Sequence, residues 1–261
     1  MNRPKNVALT VGLTCVLASA TVFMIATHAR AQTATGAAVA PAPVVLPVQV
    51  EFNAEALGGP STSFDGVVGD WNVAEASGAR GLRVDGSRWR QGTPSVSLAD
   101  QARRLYGDRY AEFLDGVRAF AFFPLAIYRP STYAGNVRVS VRFYPQDGRI
   151  DQAGGIAFAI QPNGNYLGVR ANALEDNMLF FRVVRGRRTV VDTIRNVPTP
   201  TRTWHTLVVT LRGQHITVEL DGTQRLSRDV TESLAGRVGL WSKADSQVLF
   251  DDFDVRPAPG A

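Results

Sequence analysis

Val137-Arg138-Val139-Ser140-Val141-Arg142-Phe143-Tyr144 alternates apolar and polar side chains without a break. Successive residues of a strand point to opposite faces, so period two marks a strand with one face in a core and the other toward water. The same period recurs outward along the chain, in Ile156, Phe158 and Ile160, in Leu207, Val209 and Leu211, and in Ile216, Val218 and Leu220. Between the last two runs Gly213-Gln214 reads as a tight hairpin. Further strands are expected at 81–84, 166–171, 178–184, 189–194, 237–241 and 248–255. Many short strands separated by Gly, Pro, Asn and Asp predict an all-β antiparallel sandwich of two sheets. The stretch 98–117 breaks the pattern with mixed spacing and is expected to be a short helix or an irregular excursion.

The N-terminus is of another kind. Arg3 and Lys5 precede an apolar run from Val7 to Ala26, and Ala29-Arg30-Ala31 follows it with the small residues a signal peptidase requires. Residues 1–31 are therefore expected to be a cleaved secretory signal, which places the protein outside the cytoplasm, secreted or periplasmic. The rival reading keeps the run as a membrane anchor, since it is about long enough to span a bilayer. Cleavage would leave no membrane span. The Ala- and Pro-rich stretch 32–47 reads as an extended tether, 48–255 as the sandwich, and 256–261 as a flexible tail.

Of 261 residues, 45% are apolar and 20% charged, enough to build a core and too apolar for disorder throughout. The net charge of +5 shrinks with the leader, which takes three of the 28 basic residues and leaves 25 against 23 acidic ones. The arginines are scattered along strands, so no nucleic-acid footprint is expected. Cys15, the one cysteine, lies in the leader, which removes disulfides, thiolate metal sites and cysteine nucleophiles from the remainder.

Histidine is scarce. His205 and His215 lie at opposite ends of one hairpin strand, about 25 to 30 Å apart at 3.3 Å per residue, so they cannot share a metal. A serine triad would then depend on His205, whose simpler reading is an edge residue beside Trp204. Glu219, Asp221 and Gln224 imitate the alternate carboxylates of retaining glucanases, which flank the scissile bond at about 5 Å. Gln224 stands where the acid/base is needed, and Asp221-Gly222 reads as a turn.

Two segments are richer in polar groups than strand ends require. In 166–177, Arg170 and Asn172 share a strand face and lead into the turn Glu175-Asp176-Asn177; in 239–245, Trp241 and Lys243 share a face ahead of Asp245. An aromatic plane ringed by Arg, Asn, Asp and Lys suits a sugar, which offers an apolar ring face and many hydroxyls. Ordinary strand ends are the competing reading. If Val169 and Leu240 enter the core, Arg170 and Trp241 face outward, which predicts one ligand groove holding an exposed tryptophan.

The order Asp151-Gln152-Ala153-Gly154-Gly155-Ile156, Asn165-Tyr166, 169–177, Trp204-His205-Thr206-Leu207, 239–246 and Phe250-Asp251-Asp252-Phe253 resembles secreted bacterial proteins of the 3-keto-disaccharide hydrolase type. Phe123-Pro124-Leu125-Ala126-Ile127-Tyr128 is similar as well, and the resemblance spans roughly 48–255. It implies a concanavalin-like jelly roll with a concave carbohydrate groove, and hydrolysis of keto-sugars or related glycosides. On that reading Arg170, Asn172, Asn177, Trp241, Lys243 and Asp245 hold the sugar. A keto group acidifies the neighbouring C–H, so Glu175 or Asp176 can begin an elimination as general base without a paired acid. A noncatalytic lectin-like module and an envelope adhesion protein stand as alternatives. Jelly rolls of this appearance often carry a structural calcium near the first and last strands, for which Asp252 and Asp254 are the candidate ligands. An exposed acidic edge that discourages strand pairing is the other reading of that run.

Overall fold

The computed structural model describes residues 46–89, 123–129 and 132–260. The expected leader 1–31, most of the tether 32–47 and the excursion 98–117 lie outside the described residues. The described chain forms two antiparallel sheets. The first runs, in spatial order, β13 (Thr223–Asp229), β12 (His215–Leu220), β11 (His205–Arg212), β6 (Val137–Asp147), β15 (Gln247–Pro257), β4 (Ala79–Asp85) and β3 (Trp71–Ala76), and β1 (Val48–Val50) also pairs with β15. The second runs β10 (Arg187–Arg195), β9 (Asn177–Val184), β8 (Tyr166–Asn172), β7 (Ala153–Ile160), β14 (Arg237–Trp241), β5 (Leu125–Tyr128) and β2 (Phe64–Val68).

The alternation of β6 does what its pattern requires. Val137, Val139, Val141 and Phe143 are buried while Arg138, Ser140, Arg142 and Tyr144 are half-buried on the other face. The sheets meet over one core, to which Leu207, Val209, Ile216 and Val218 contribute from the first and Ile156, Phe158, Val169, Phe180 and Leu240 from the second. Two tight turns set the register of β11 to β13. Arg212 pairs with His215 across Gly213-Gln214, and Leu220 pairs with Thr223 across Asp221-Gly222. In the second turn both central residues are left-handed, with φ of 51° and 74°, which matches the twist of a two-residue hairpin.

Three features depart from the sequence reading. Ile160 does not join Ile156 and Phe158 in the central core, because Ala159 takes φ 52° at an irregularity and the next side chain turns to the opposite face. The last strand continues through Pro257, two residues into the expected tail, since Arg256 and Pro257 pair with Arg138 and Val137. His205 is buried rather than an edge residue: its strand is flanked by β6 and β12.

The middle of the second sheet is covered on both faces. Every residue of β7 and β8 is buried, and its outer face carries a second apolar cluster with Phe123, Leu125, Ile127, Leu179, Phe181, Val183 and Trp241. Gly168 makes this possible. The Phe181 ring lies over it, where an added Cβ would fall 2.6 Å from Phe181 Cζ.

Candidate functional site

The polar residues collect at one end of this second sheet, where β7 begins, β8 ends, β9 begins and β14 ends. Antiparallel pairing brings the four termini together although they are up to 92 residues apart, as the Lys243–Asp151 contact shows. Lys243 Nζ donates to Asp151 Oδ1 at 3.0 Å and lies 2.9 Å from Oδ2. Asn172 Nδ2 donates to the same Oδ1 at 2.8 Å. The Asn172 Oδ1 accepts the backbone N–H groups of Gln152 and Leu174 at 3.2 and 3.1 Å, tying the loop before β7 to the turn after β8.

Arg170 is the second centre. Its guanidinium is buried and donates to Glu175 and to the Asn177 side-chain oxygen. The glycine opposite it on β7, Gly155, gives it room: an added Cβ there would sit 2.9 Å from Arg170 Cβ. Trp241 follows in the same outer-face row and is fully buried. Its ring stacks on Phe123 with centroids 5.5 Å apart, meets Phe181 at 4.7 Å, and donates Nε1–H to the Tyr166 hydroxyl at 3.0 Å. Arg188 reaches over from β10, its guanidinium 4.8 Å from the Phe123 centroid, 5.7 Å from Phe181 and 6.0 Å from Trp241.

These groups form one electrostatic system. Burial raises the Asp151 carboxyl above its ordinary value against the opposing hydrogen bond and charge of Lys243, and the Glu175 charge adds to the rise. Burial also raises Glu175, but the charge and hydrogen bond of Arg170, with Lys243 and Asn177, outweigh it and hold that carboxyl below the usual glutamate range. Burial lowers both arginines, and Glu175 and Asp151 work against that in each. Among the described residues, Arg170, Arg188 and Lys243 act on Asp151 and Glu175, with Glu175 partly exposed and Asp151 wholly enclosed.

The structure thus brings together Arg170, Asn172, Glu175, Asn177 and Lys243, with Trp241 beside them. The expected exposure of Trp241 is wrong. The face assignment from Val169 and Leu240 holds, but the outer face is itself packed, so the ring is a wall of a second cluster. Asp176 turns to other work: its carbonyl accepts Val197 N–H at 2.9 Å and its carboxylate accepts Thr199 N–H at 3.5 Å. Asp245 accepts the backbone N–H groups of Arg149, Ile150 and Asp151 at 2.8 to 3.1 Å, so it shapes the loop that presents Asp151. Sequence reasoning missed Asp151 and Arg188 as members of the site. Asp151 stood in the quoted Asp151-Gln152 run; Arg188 carries no local signal, being one arginine in an arginine-rich strand.

The calcium candidates do not fit a metal. Phe250 and Phe253 both enter the core, a spacing of three that alternation forbids and that a bulge with Asp252 at φ 50° supplies. Asp252 then pairs with Arg142 at 3.0 Å and Asp254 with Arg256 at 2.8 Å, while Asp251 lies 3.5 Å from Arg142. Among the described residues no group of three or more His, Asp or Glu side chains is placed to hold a metal ion.

Nor does a serine arrangement depend on His205, which pairs with Asp221 at 2.8 Å and with the Pro200 carbonyl at 3.0 Å. His215 instead lies 2.7 Å from Asp229 and 3.0 Å from Ser227, a Ser-His-Asp row across β12 and β13. It lies on an open sheet face with Asp229 83% exposed, where water competes for each of these bonds and weakens them.

No protein-family model and no curated protein sequence matches the chain. Among solved structures it is similar to a carbohydrate-binding module, CBM66, from Bacillus subtilis, at 15% identity over 75% of this chain and 96% of that one, with a TM-score of 0.53. The chain has a jelly-roll sandwich fold. A Bacillus subtilis protein of unknown function with a galectin-like fold matches at 11% identity over 80% of this chain and 98% of that one, TM-score 0.48. A Bacillus licheniformis beta-glucanase matches at 10% identity over 51% and 69%, TM-score 0.37. At 15% identity the likeness to the carbohydrate-binding module concerns the fold alone. No helix among the described residues is long and apolar enough to cross a membrane.

Proposed function

We propose that this jelly roll is an exported carbohydrate-binding domain whose ligand site is the polar end of the second sheet, with Glu175, Lys243, Asn177 and Arg170 as its hydrogen-bonding groups. The observation that carries the reading is a cluster of fixed charged side chains, partly open at Glu175 and Lys243, set beside an aromatic cluster on a sheet face outside the central core. Fixed donors and acceptors at an apolar surface suit a ligand with many hydroxyls. The similarity to a carbohydrate-binding module of the same fold agrees with it. Trp241 serves this site as support rather than as a stacking platform. Export behind residues 1–31 would bring such a domain to extracellular or periplasmic glycans.

The test is a glycan-binding screen of the purified chain followed by Glu175→Gln, which keeps an acceptor oxygen for Arg170. Binding lost in a variant that still melts cooperatively supports the reading. A chain that binds no glycan favours the adhesion or structural alternative.

A second reading gives the same site hydrolysis of 3-keto-glycosides, as the family resemblance implies. It is favoured by two electrostatically linked carboxylates whose proton affinities are pushed in opposite directions, Asp151 up and Glu175 down. Glu175, the member within reach of a ligand, would take the proton from the carbon beside the keto group while the bond electrons enter the carbonyl. Those electrons return to form a carbon–carbon double bond as the glycosidic oxygen leaves with that proton, and water adds across the bond, its hydroxyl to the vacated carbon and its proton to the carbon beside the keto group. Arg170 lowers the basicity of Glu175, which is why binding stands first. Release of free sugar from a 3-keto-glucoside by the wild-type chain, lost in Glu175→Gln, would reverse the order.

A further inference from the structure

Arg188 differs from the other cations of the site. Lys243 has Asp151 and Arg170 has Glu175. Arg188 forms no ion pair and no hydrogen bond through its side chain among the described residues, and its Nη1 is buried without an acceptor. Its contacts are the rings of Phe123, Phe181 and Trp241. A guanidinium over aromatic faces spends its π face there and keeps its N–H donors in its own plane, directed sideways. A buried guanidinium donor without an acceptor is costly, and native structures seldom leave one so. Arg170 adds a second such donor, since its Nε is also buried without an acceptor.

The charge beside Arg188 points the same way. Arg188 acts on Arg170 as a repelling neighbour. A neutral sugar would leave that repulsion in place. An anionic group beside Arg188 would satisfy its orphan donor, relieve the repulsion and meet a planar fork suited to two oxygens.

We infer that the ligand of this site is an acidic sugar, its anionic group, a uronate carboxylate or a sulfate ester, bound by Arg188 on the Phe123–Phe181–Trp241 cluster. The inference rests on the proposed sugar site and adds the ligand class. Arg188 lies on β10, the edge strand of the sheet, and is half-buried, so the site would be entered from that edge.

The test is calorimetric titration of the purified full chain with three probes: an oligogalacturonate, its carboxyl-reduced neutral counterpart, and a sulfated galactan oligosaccharide. The expected result is at least one anionic probe bound about ten-fold or more tightly than the neutral one, with affinity falling as salt rises. Tighter binding of the uronate or of the sulfated probe identifies the anionic group. Arg188→Gln should abolish the preference, and Arg188→Lys, which keeps the charge but not the fork, should retain part of it. Should Arg188→Gln fail to fold, the wild-type preference and the Arg188→Lys result decide. Equal binding of the neutral probe, or a preference unchanged in the Arg188 variants, overturns the inference and leaves the sugar site standing. Failure to bind these probes or any glycan in a wider screen overturns both.

Discussion

Trp241 and Arg170 stand in one cross-strand row on the outer face of the second sheet, with only Gly155 between them. Two strand spacings put their backbones about 10 Å apart. Both side chains are buried, one in aromatic packing and the other in a charged clamp. The apolar support and the polar site are therefore adjacent parts of the same layer, and disturbing the first should be felt first as lost stability.

Trp241→Ala should empty a volume enclosed by Phe123, Phe181 and Leu125 and cost about 3–5 kcal/mol. In a domain of this size that lowers the melting midpoint on the order of 10 °C. Thermal denaturation followed by circular dichroism measures it. An unchanged midpoint with lost glycan binding would return Trp241 to the role of an exposed stacking platform.

Gly168→Ala places a Cβ 2.6 and 2.8 Å from two carbons of the Phe181 ring. The ring is itself packed on Trp241, so it can give little, and overpacking should cost about 1–3 kcal/mol. Urea midpoints of Gly168→Ala and of the pair with Phe181→Leu test this. The smaller partner should restore part of the loss, and a single variant as stable as the parent would contradict the packing described for the outer face.

The two carboxylates of the site act on stability with opposite signs. Asp151 has a raised folded value, so as pH falls from neutrality through that value toward the ordinary 3.8, the folded state takes up its proton first and this group's contribution to stability rises. Glu175 has a lowered folded value, so its contribution is present above the ordinary 4.5 and is lost as pH falls below that toward the folded value. Urea midpoints between pH 7 and pH 3 should show Asp151→Asn flattening the first change and Glu175→Gln reducing the second. Parallel curves for parent and both variants would show the site is not the source.

Calcium should not shift the melting midpoint. Asp252 and Asp254 hold arginines, and a metal would have to displace them. Melting in calcium and in chelator, with elemental analysis of the purified chain, decides it; a stabilising shift with one bound metal would reinstate the last strand as a metal site.

The period of two in 137–144 and 207–220, the turn at Asp221-Gly222, and the placement of Val169 and Leu240 on the core face were all legible in the sequence, because alternation and turn chemistry act over a few neighbouring residues. Strands with little alternation were not, such as β2 with Phe64-Asp65-Gly66-Val67-Val68, or β13, in which Leu226 alone is buried. Alternation assigns a side chain to a face; it does not say whether another layer of side chains covers that face. Only the tertiary structure decided that Trp241 is enclosed, since Phe123 and Phe181 come from 118 and 60 residues away. It likewise decided that Arg188 joins the site and that Asp252 occupies a bulge. Local sequence sets the direction of each side chain, but burial and electrostatic partnership depend on which distant strands the sheet order makes neighbours.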